Sequence, residues 1–130
     1  MSIAANSVGR RKIFKRFTLN SSVPYDLATE RVYEAVPELR KIKRGVCVLQ
    51  RRGPHYGAIT INENADPTVR DDFLTALPRI AAFADDDEEF DAPKFQSSLL
   101  PSSLTLLVLD GRFVFGTWQG IYLCRSEEHT

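Results

Sequence analysis

Three polar side chains in succession, Asn62, Glu63 and Asn64, stand where a short apolar strand gives way to a helix start, and strand ends of this kind are where sites are built. Two carboxamides supply paired donors and acceptors, and a carboxylate between them suits general acid or base chemistry if burial beside the amides raises its pKa. Ile59 and Ile61, both β-branched, flank Thr60 and read as the end of a half-buried strand. Asp66 followed by Pro67 predicts a helix beginning at Pro67, because the Asp side chain accepts orphan N–H groups and Pro at the first helical position forfeits no bond. That cap is sufficient structural reason for the Asp. The same helix start offers N–H groups to a phosphate, but Asp66 already occupies them and its charge opposes an anion, so Arg70 and Lys94 would have to compensate.

A second candidate segment is Gly116-Thr117-Trp118-Gln119-Gly120. Its two glycines permit close backbone approach, and Thr117 and Gln119 offer directional hydrogen bonds between them. Trp118 either stacks on a flat ligand ring or serves as a core anchor, the usual fate of a residue type that is highly buried on average. The expectation is that this bend and the Asn62 strand end converge on one hollow, with Asn62, Asn64, Asp66, Arg70, Lys94, Thr117, Trp118 and Gln119 binding a ligand and Glu63 as the acid or base.

Positioning these residues requires an α+β domain with a mostly antiparallel sheet and helices packed on one side of it. Residues 12–19 read as a strand, 20–25 as a turn or extended piece, and Thr29 as the N-cap of a helix ended by Pro37, with Leu27, Val32, Val36 and Leu39 as its apolar stripe. Residues 46–50 and 56–61 are strands joined by a turn at 51–54. After Pro67 the apolar residues Val69, Phe73, Leu77 and Ile80 keep helical spacing, and Pro78 is expected to kink or divide that helix. Asp110-Gly111 between residues 103–109 and 112–115 is the best hairpin signal in the chain, and residues 121–124 make the last strand.

TINENADPTVRDDF (60–73) and GTWQGIYLC (116–124) together resemble the two signature segments of the YjbQ family, whose members are described as secondary thiamine-phosphate synthases. Val36-Pro37-Glu38-Leu39, Ser97-Ser98-Leu99, Ser103-Leu104-Thr105 and Asp110-Gly111-Arg112 extend the agreement, which covers residues 14–124. The resemblance implies an α+β fold, a homotrimer, and a small phosphorylated or heteroaromatic ligand. The family's site is usually rich in histidine, and this chain has two histidines. Pro54 holds the place of one family histidine, so His55 substitutes for it only if the preceding loop is one residue shorter. A second falls in a segment shortened here to an acidic run, and a third aligns with Lys94. Catalytic metal sites normally take three protein ligands, so no cofactor is expected and a divalent metal is disfavoured. Glu63 and His55 remain as the catalytic pair. Two functions stay open: a weak thiamine-phosphate synthase, and a catalytically silent homotrimeric scaffold or binding subunit that keeps the fold.

The 130 residues, 43% of them apolar, suffice for one core. Residues 12–125 are expected to form a single domain, with 1–11 as a flexible arm and 126–130, including His129, as a tail. No apolar run approaches the roughly 18 residues of a membrane span. Cys47 and Cys124 sit in apolar strand patterns and suggest buried thiols in a reducing, cytoplasmic setting. The acid-free first eleven residues faintly resemble an organellar presequence, so import stays open. Net charge is zero but unevenly spread: residues 1–52 carry twelve Lys/Arg against four Asp/Glu, and residues 53–130 carry five against thirteen. The basic clusters lack interleaved aromatics and any nucleic-acid motif, and the acidic second half would repel a long polyanion, which argues against nucleic acid as a partner. The run at 85–89 reads as a solvated loop.

Overall fold

Period-two alternation is plainest in residues 103–109, where Leu106 and Val108 are buried while Ser103, Thr105, Leu107 and Leu109 face outward. In the structure, a computed structural model that describes residues 2–7, 12–20, 23, 25–52, 57–64, 66–81, 95 and 98–124, this segment is one strand of an antiparallel sheet. The elements run β1 (Ser2–Ser7), β2 (Phe14–Thr18), β3 (Tyr25–Leu27), α1 (Thr29–Ala35), a 3-10 helix (Pro37–Lys41), β4 (Arg44–Arg52), β5 (Ala58–Glu63), α2 (Pro67–Ala81), β6 (Ser103–Leu109), β7 (Arg112–Phe113) and β8 (Gln119–Cys124). The α+β class and the antiparallel pairing match the sequence reading. The strands divide into two sheets, five in the order β2-β1-β4-β6-β7 and three in the order β3-β8-β5.

Alternation along β5 and β8 gives the small sheet two apolar faces. Ile59, Ile121 and Leu123 join Val32 and Tyr33 of α1, Leu39 of the 3-10 helix, and Cys47, Leu49, Leu106 and Val108 of the large sheet in the main core. Ala58, Tyr122 and Cys124 face the other way with Tyr25, where Phe73 of α2 and Leu100 pack on them. Thus α1 and α2 take different faces of the small sheet. Tyr25 stacks between Phe73, at 4.3 Å between ring centroids, and Tyr122, at 4.2 Å, offset from face-to-face by small interplanar angles.

Four expectations need correction. Residues 2–7 are not a loose arm: β1 lies between β2 and β4, pairing Ser2 with Thr18 and Arg52, and Asn6 with Phe14 and Val48. Its sequence carries little apolar alternation, and its main chain pairs on both edges. Thr29 does not cap α1. Ala28 holds that position without a side-chain bond, and the Thr29 hydroxyl accepts the Ile121 N–H at 2.9 Å. Leu27, placed in the apolar stripe, is 41% exposed, while Val32, Val36 and Leu39 are buried. Pro78 does not divide α2, which runs unbroken to Ala81. The carbonyl four residues earlier belongs to Leu74, which is itself exposed, so water can serve it. The acidic run at 85–89, the turn residues 53 and 54, and the tail from residue 125 lie outside the described residues.

Burial pushes the Tyr25 hydroxyl up to about 12 from an ordinary 10.0, partly offset by the bond from Asn62. It pushes the Cys124 thiol up to about 12 from 9.0, and it also raises Tyr122. These groups are acids kept neutral by the fold, so above their ordinary values the unfolded chain releases protons that the folded chain retains. Stability must therefore fall as pH rises from about 9 toward 12. Thermal melts followed by circular dichroism should show the midpoint dropping across that window, and Tyr25→Phe should blunt the upper part of the drop.

Candidate functional site

The antiparallel register of β5 and β8 places Asn62 opposite Gly120 and Glu63 opposite Gln119. Beyond the last pair, the Asn64 N–H donates to the Trp118 carbonyl at 2.6 Å. The two motif segments therefore meet directly. Gly116 to Gln119 closes as a turn, with the Gln119 N–H on the Gly116 carbonyl at 3.0 Å and the Gly116 N–H on Gln119 Oε1 at 2.7 Å. That second bond fixes the Gln119 side chain by its oxygen and leaves its NH2 group as a donor.

Beside this junction is a cavity of about 490 Å³, within the range of small-molecule sites. Asn64, Gly116, Thr117 and Gln119 form one wall, Leu27, Thr29, Glu30, Arg31 and Tyr33 another, and Arg112, Phe113 and Phe115 a third. A Cβ on Gly120 would stand 2.6 Å from Leu27 Cδ1, 2.9 Å from Thr29 Oγ1 and 3.3 Å from Asn64 Nδ2, so the bare backbone there is what lets α1 and the β5 end close together. Arg31 is largely committed: its guanidinium donates to the Asn20 and Leu27 carbonyls at 2.7 and 3.0 Å and pairs with Asp26 at 2.8 Å. Arg112 also lines the cavity and is exposed, and among the described residues no hydrogen bond or ion pair engages it. The aromatic wall is rigid, because Tyr33 stacks on Phe113 at 4.9 Å and its hydroxyl accepts the Phe113 N–H at 2.9 Å.

Of the expected ligand-binding residues, Asn64, Thr117 and Gln119 line this cavity. Asn62 does not. Its Nδ2 donates to the Tyr25 hydroxyl at 2.8 Å and its Oδ1 accepts the Glu63 N–H at 2.8 Å, so it braces the opposite face of the sheet. Glu63 is half-buried and accepts the Asp66 N–H at 3.1 Å. Asp66 is the α2 cap the sequence predicts, accepting the Thr68 N–H and hydroxyl at 2.9 and 2.8 Å, and these bonds hold its carboxyl below the usual carboxylate range. Arg70 is exposed on α2, close enough to Tyr122 to favour its ionised form. Trp118 is 64% exposed, which corrects its reading as a core anchor: it occupies a central position of the Gly116–Gln119 turn. His55 and Lys94 lie outside the described residues. Three His, Cys, Asp or Glu side chains placed to hold a metal are not found among the described residues. None of the described helices is long and apolar enough to cross a membrane.

Sequence reasoning missed the α1 wall and the aromatic wall. Thr29 carried the wrong signal, that of a cap, while Arg112 stood in plain view within the Asp-Gly-Arg segment.

Fold and site together define a two-sheet α+β domain whose two motif segments, paired as neighbouring strands, open onto a ligand-sized hollow. A family model described as UPF0047 protein YjbQ-like matches residues 16–129, and the chain belongs to this family. A relative named UPF0047 protein MJ1081, from Methanocaldococcus jannaschii, is 38% identical over 121 residues, covering 89% of this chain and 80% of its own. UPF0047 protein YjbQ from Salmonella typhimurium is 38% identical over 112 residues, covering 81% and 80%. Among solved structures, an uncharacterised conserved protein of the YjbQ/UPF0047 family from Clostridium acetobutylicum superposes with a TM-score of 0.72 at 28% identity, over 95% of this chain and 90% of that one. β1 lies outside the span of the family model.

Proposed function

We propose that this protein binds a small phosphorylated or heteroaromatic molecule in the cavity beside Asn64 and Gln119, and that any catalysis there is a weak thiamine-phosphate synthase activity of the kind the family resemblance implies. The supporting observation is the convergence of free donors on one hollow: the Arg112 guanidinium and the Thr117 hydroxyl suit phosphate oxygens, the Asn64 and Gln119 amides suit ring heteroatoms, and Phe115 offers an apolar ring face. That reaction joins a pyrimidine diphosphate to a thiazole phosphate and expels pyrophosphate, so its needs are phosphate donors and a platform for the pyrimidine. Weakness follows from Glu63, the acid or base of the reading, whose carboxylate is engaged at the Asp66 N–H.

Complementation of a thiamine-auxotrophic strain tests this reading. Wild type should support slow growth, and Gln119→Ala or Asn64→Ala should abolish it while leaving the protein folded. Robust growth that Glu63→Ala or His55→Ala eliminates would instead establish a full enzyme.

The second reading is a catalytically silent homotrimeric scaffold or binding subunit. It is favoured by apolar surface left open on the large sheet, where Phe14 is 70% and Leu107 is 59% exposed. No growth, together with no shift in melting temperature on adding thiazole phosphate or pyrimidine diphosphate, would select it.

A further inference from the structure

Three side chains in the cavity wall accept hydrogen bonds from the main chain. The Thr29 hydroxyl takes the Ile121 N–H and the Tyr33 hydroxyl takes the Phe113 N–H, each at 2.9 Å, while Gln119 Oε1 takes the Gly116 N–H at 2.7 Å. What each has left to offer is hydrogen. Among the described residues no hydrogen bond uses the two hydroxyl hydrogens or the Gln119 NH2 group, and all three residues line the cavity. The Gln119 amide cannot turn over, because its NH2 would then meet the Gly116 N–H, donor against donor. Tyr33 is 8% exposed, so water is a poor substitute partner for its hydrogen. Thr29 and Tyr33 stand four residues apart on α1 and share one face of it, the first reaching β8 and the second β7, where Arg112 precedes Phe113. These positions are built to donate. Glu30, the only carboxylate in the lining among the described residues, is exposed.

We infer that the cavity reads its ligand through hydrogen-bond acceptors at both ends: Thr29 and Tyr33 donate, beside Arg112, to the oxygens of a phosphoryl group, and Gln119 donates to an unprotonated atom on the edge of the ring. The inference deepens the ligand-binding reading above and rests on it. A phosphoryl group offers three strong acceptor oxygens, so it satisfies the hydrogens that the main chain has left over while the guanidinium offsets its charge. At Gln119 the fixed amide selects. A pyridine- or thiazole-type nitrogen, or a ring carbonyl, completes a hydrogen bond there, whereas a ring N–H or an ammonium group meets a locked donor and leaves both unpaired. The backbone thus sets the preference of the site by using up its acceptors first.

Calorimetric titration of the full chain with inorganic phosphate, thiazole phosphate and acetate tests this. Wild type should bind both phosphates, thiazole phosphate the more tightly, and acetate about tenfold more weakly than inorganic phosphate. Thr29→Val and Tyr33→Phe should each weaken both phosphates by a similar factor of about ten, with Thr29→Ser close to wild type. Gln119→Glu keeps the acceptor that the Gly116 N–H needs, so it tests the site even if the hydroxyl variants fail to fold. It should lower the preference for thiazole phosphate over inorganic phosphate about tenfold. Glu30→Gln should tighten both phosphates by removing a like charge. Thiazole phosphate bound by all of these variants as by wild type overturns the inference and leaves the ligand-binding reading standing. Binding of neither phosphate by wild type overturns both, and acetate bound as tightly as inorganic phosphate overturns the phosphoryl assignment.

Discussion

Ile121→Ala is expected to remove about 2–5 kcal/mol of stability, the range for deleting a large aliphatic side chain from a packed interior. Ile121 is fully buried in the middle strand of the small sheet, within the cluster that also takes in α1 and the large sheet. Its backbone ties the same parts together, donating to the Thr29 hydroxyl and accepting the Ala28 N–H at 2.8 Å. Those bonds survive the substitution, so the loss is that of packing and the cavity left behind. Against a total of about 5–15 kcal/mol for a domain of ordinary stability, the variant should be near its unfolding threshold at physiological temperature. Urea unfolding followed by circular dichroism measures it, and Trp118→Ala is the contrast. That larger truncation should change stability by no more than about 0.5 kcal/mol, because the ring lies mostly in solvent. Equal losses from the two variants would mean that β8 is not the centre of the core.

The second large effect belongs to the tip of the β6–β7 hairpin. Asp110 and Gly111 both take positive φ, 49° and 78°, which is the turn that matches the twist of its flanking strands. Gly111 also has no room: a Cβ there would stand 2.5 Å from the Arg40 carbonyl oxygen, a backbone atom fixed by the 3-10 helix. The tip is pinned besides, since the Asp110 and Gly111 N–H groups donate to the Lys43 and Ile42 carbonyls at 2.8 Å each. Gly111→Ala should therefore cost about 1–3 kcal/mol from backbone conformation alone, with the steric clash adding to it. The damage should reach the cavity, because Arg112 and Phe113 follow directly. A lowered denaturation midpoint together with a weakened ligand-induced melting shift would check both parts, and an unchanged midpoint would refute the pinned turn.

Most of the architecture was legible where side chains, rather than backbone, decide the structure. Alternating residues marked β4, β5, β6 and β8, the Asp-Gly pair marked its turn, and Asp66-Pro67 marked the start of α2. The meeting of the two motif segments was also readable, because each sits at the end of an apolar strand and strands of a small sheet have few neighbours available. β1 was not readable, since Ser-Ile-Ala-Ala-Asn-Ser shows little apolar alternation, and main-chain pairing on two edges leaves no mark in a sequence. The cavity's second wall escaped for a different reason. Thr29 serves β8 from a long way off in the chain, and a hydroxyl that bonds across ninety-two residues looks in sequence like one that bonds across two.

The ring stack under α2 has a consequence for how the domain distributes its cohesion. Among the helix positions whose burial is described, Val69, Phe73 and Leu77 are half-buried, and only the Phe73 ring slots against Tyr25 among the described aromatic contacts. Among the described aromatic contacts, then, α2 meets the small sheet through one ring, seated on the Tyr25–Tyr122 pair. Phe73→Ala would leave that seat empty, so its cost should register at the tyrosine pair and at Asn62, whose amide donates to the Tyr25 hydroxyl.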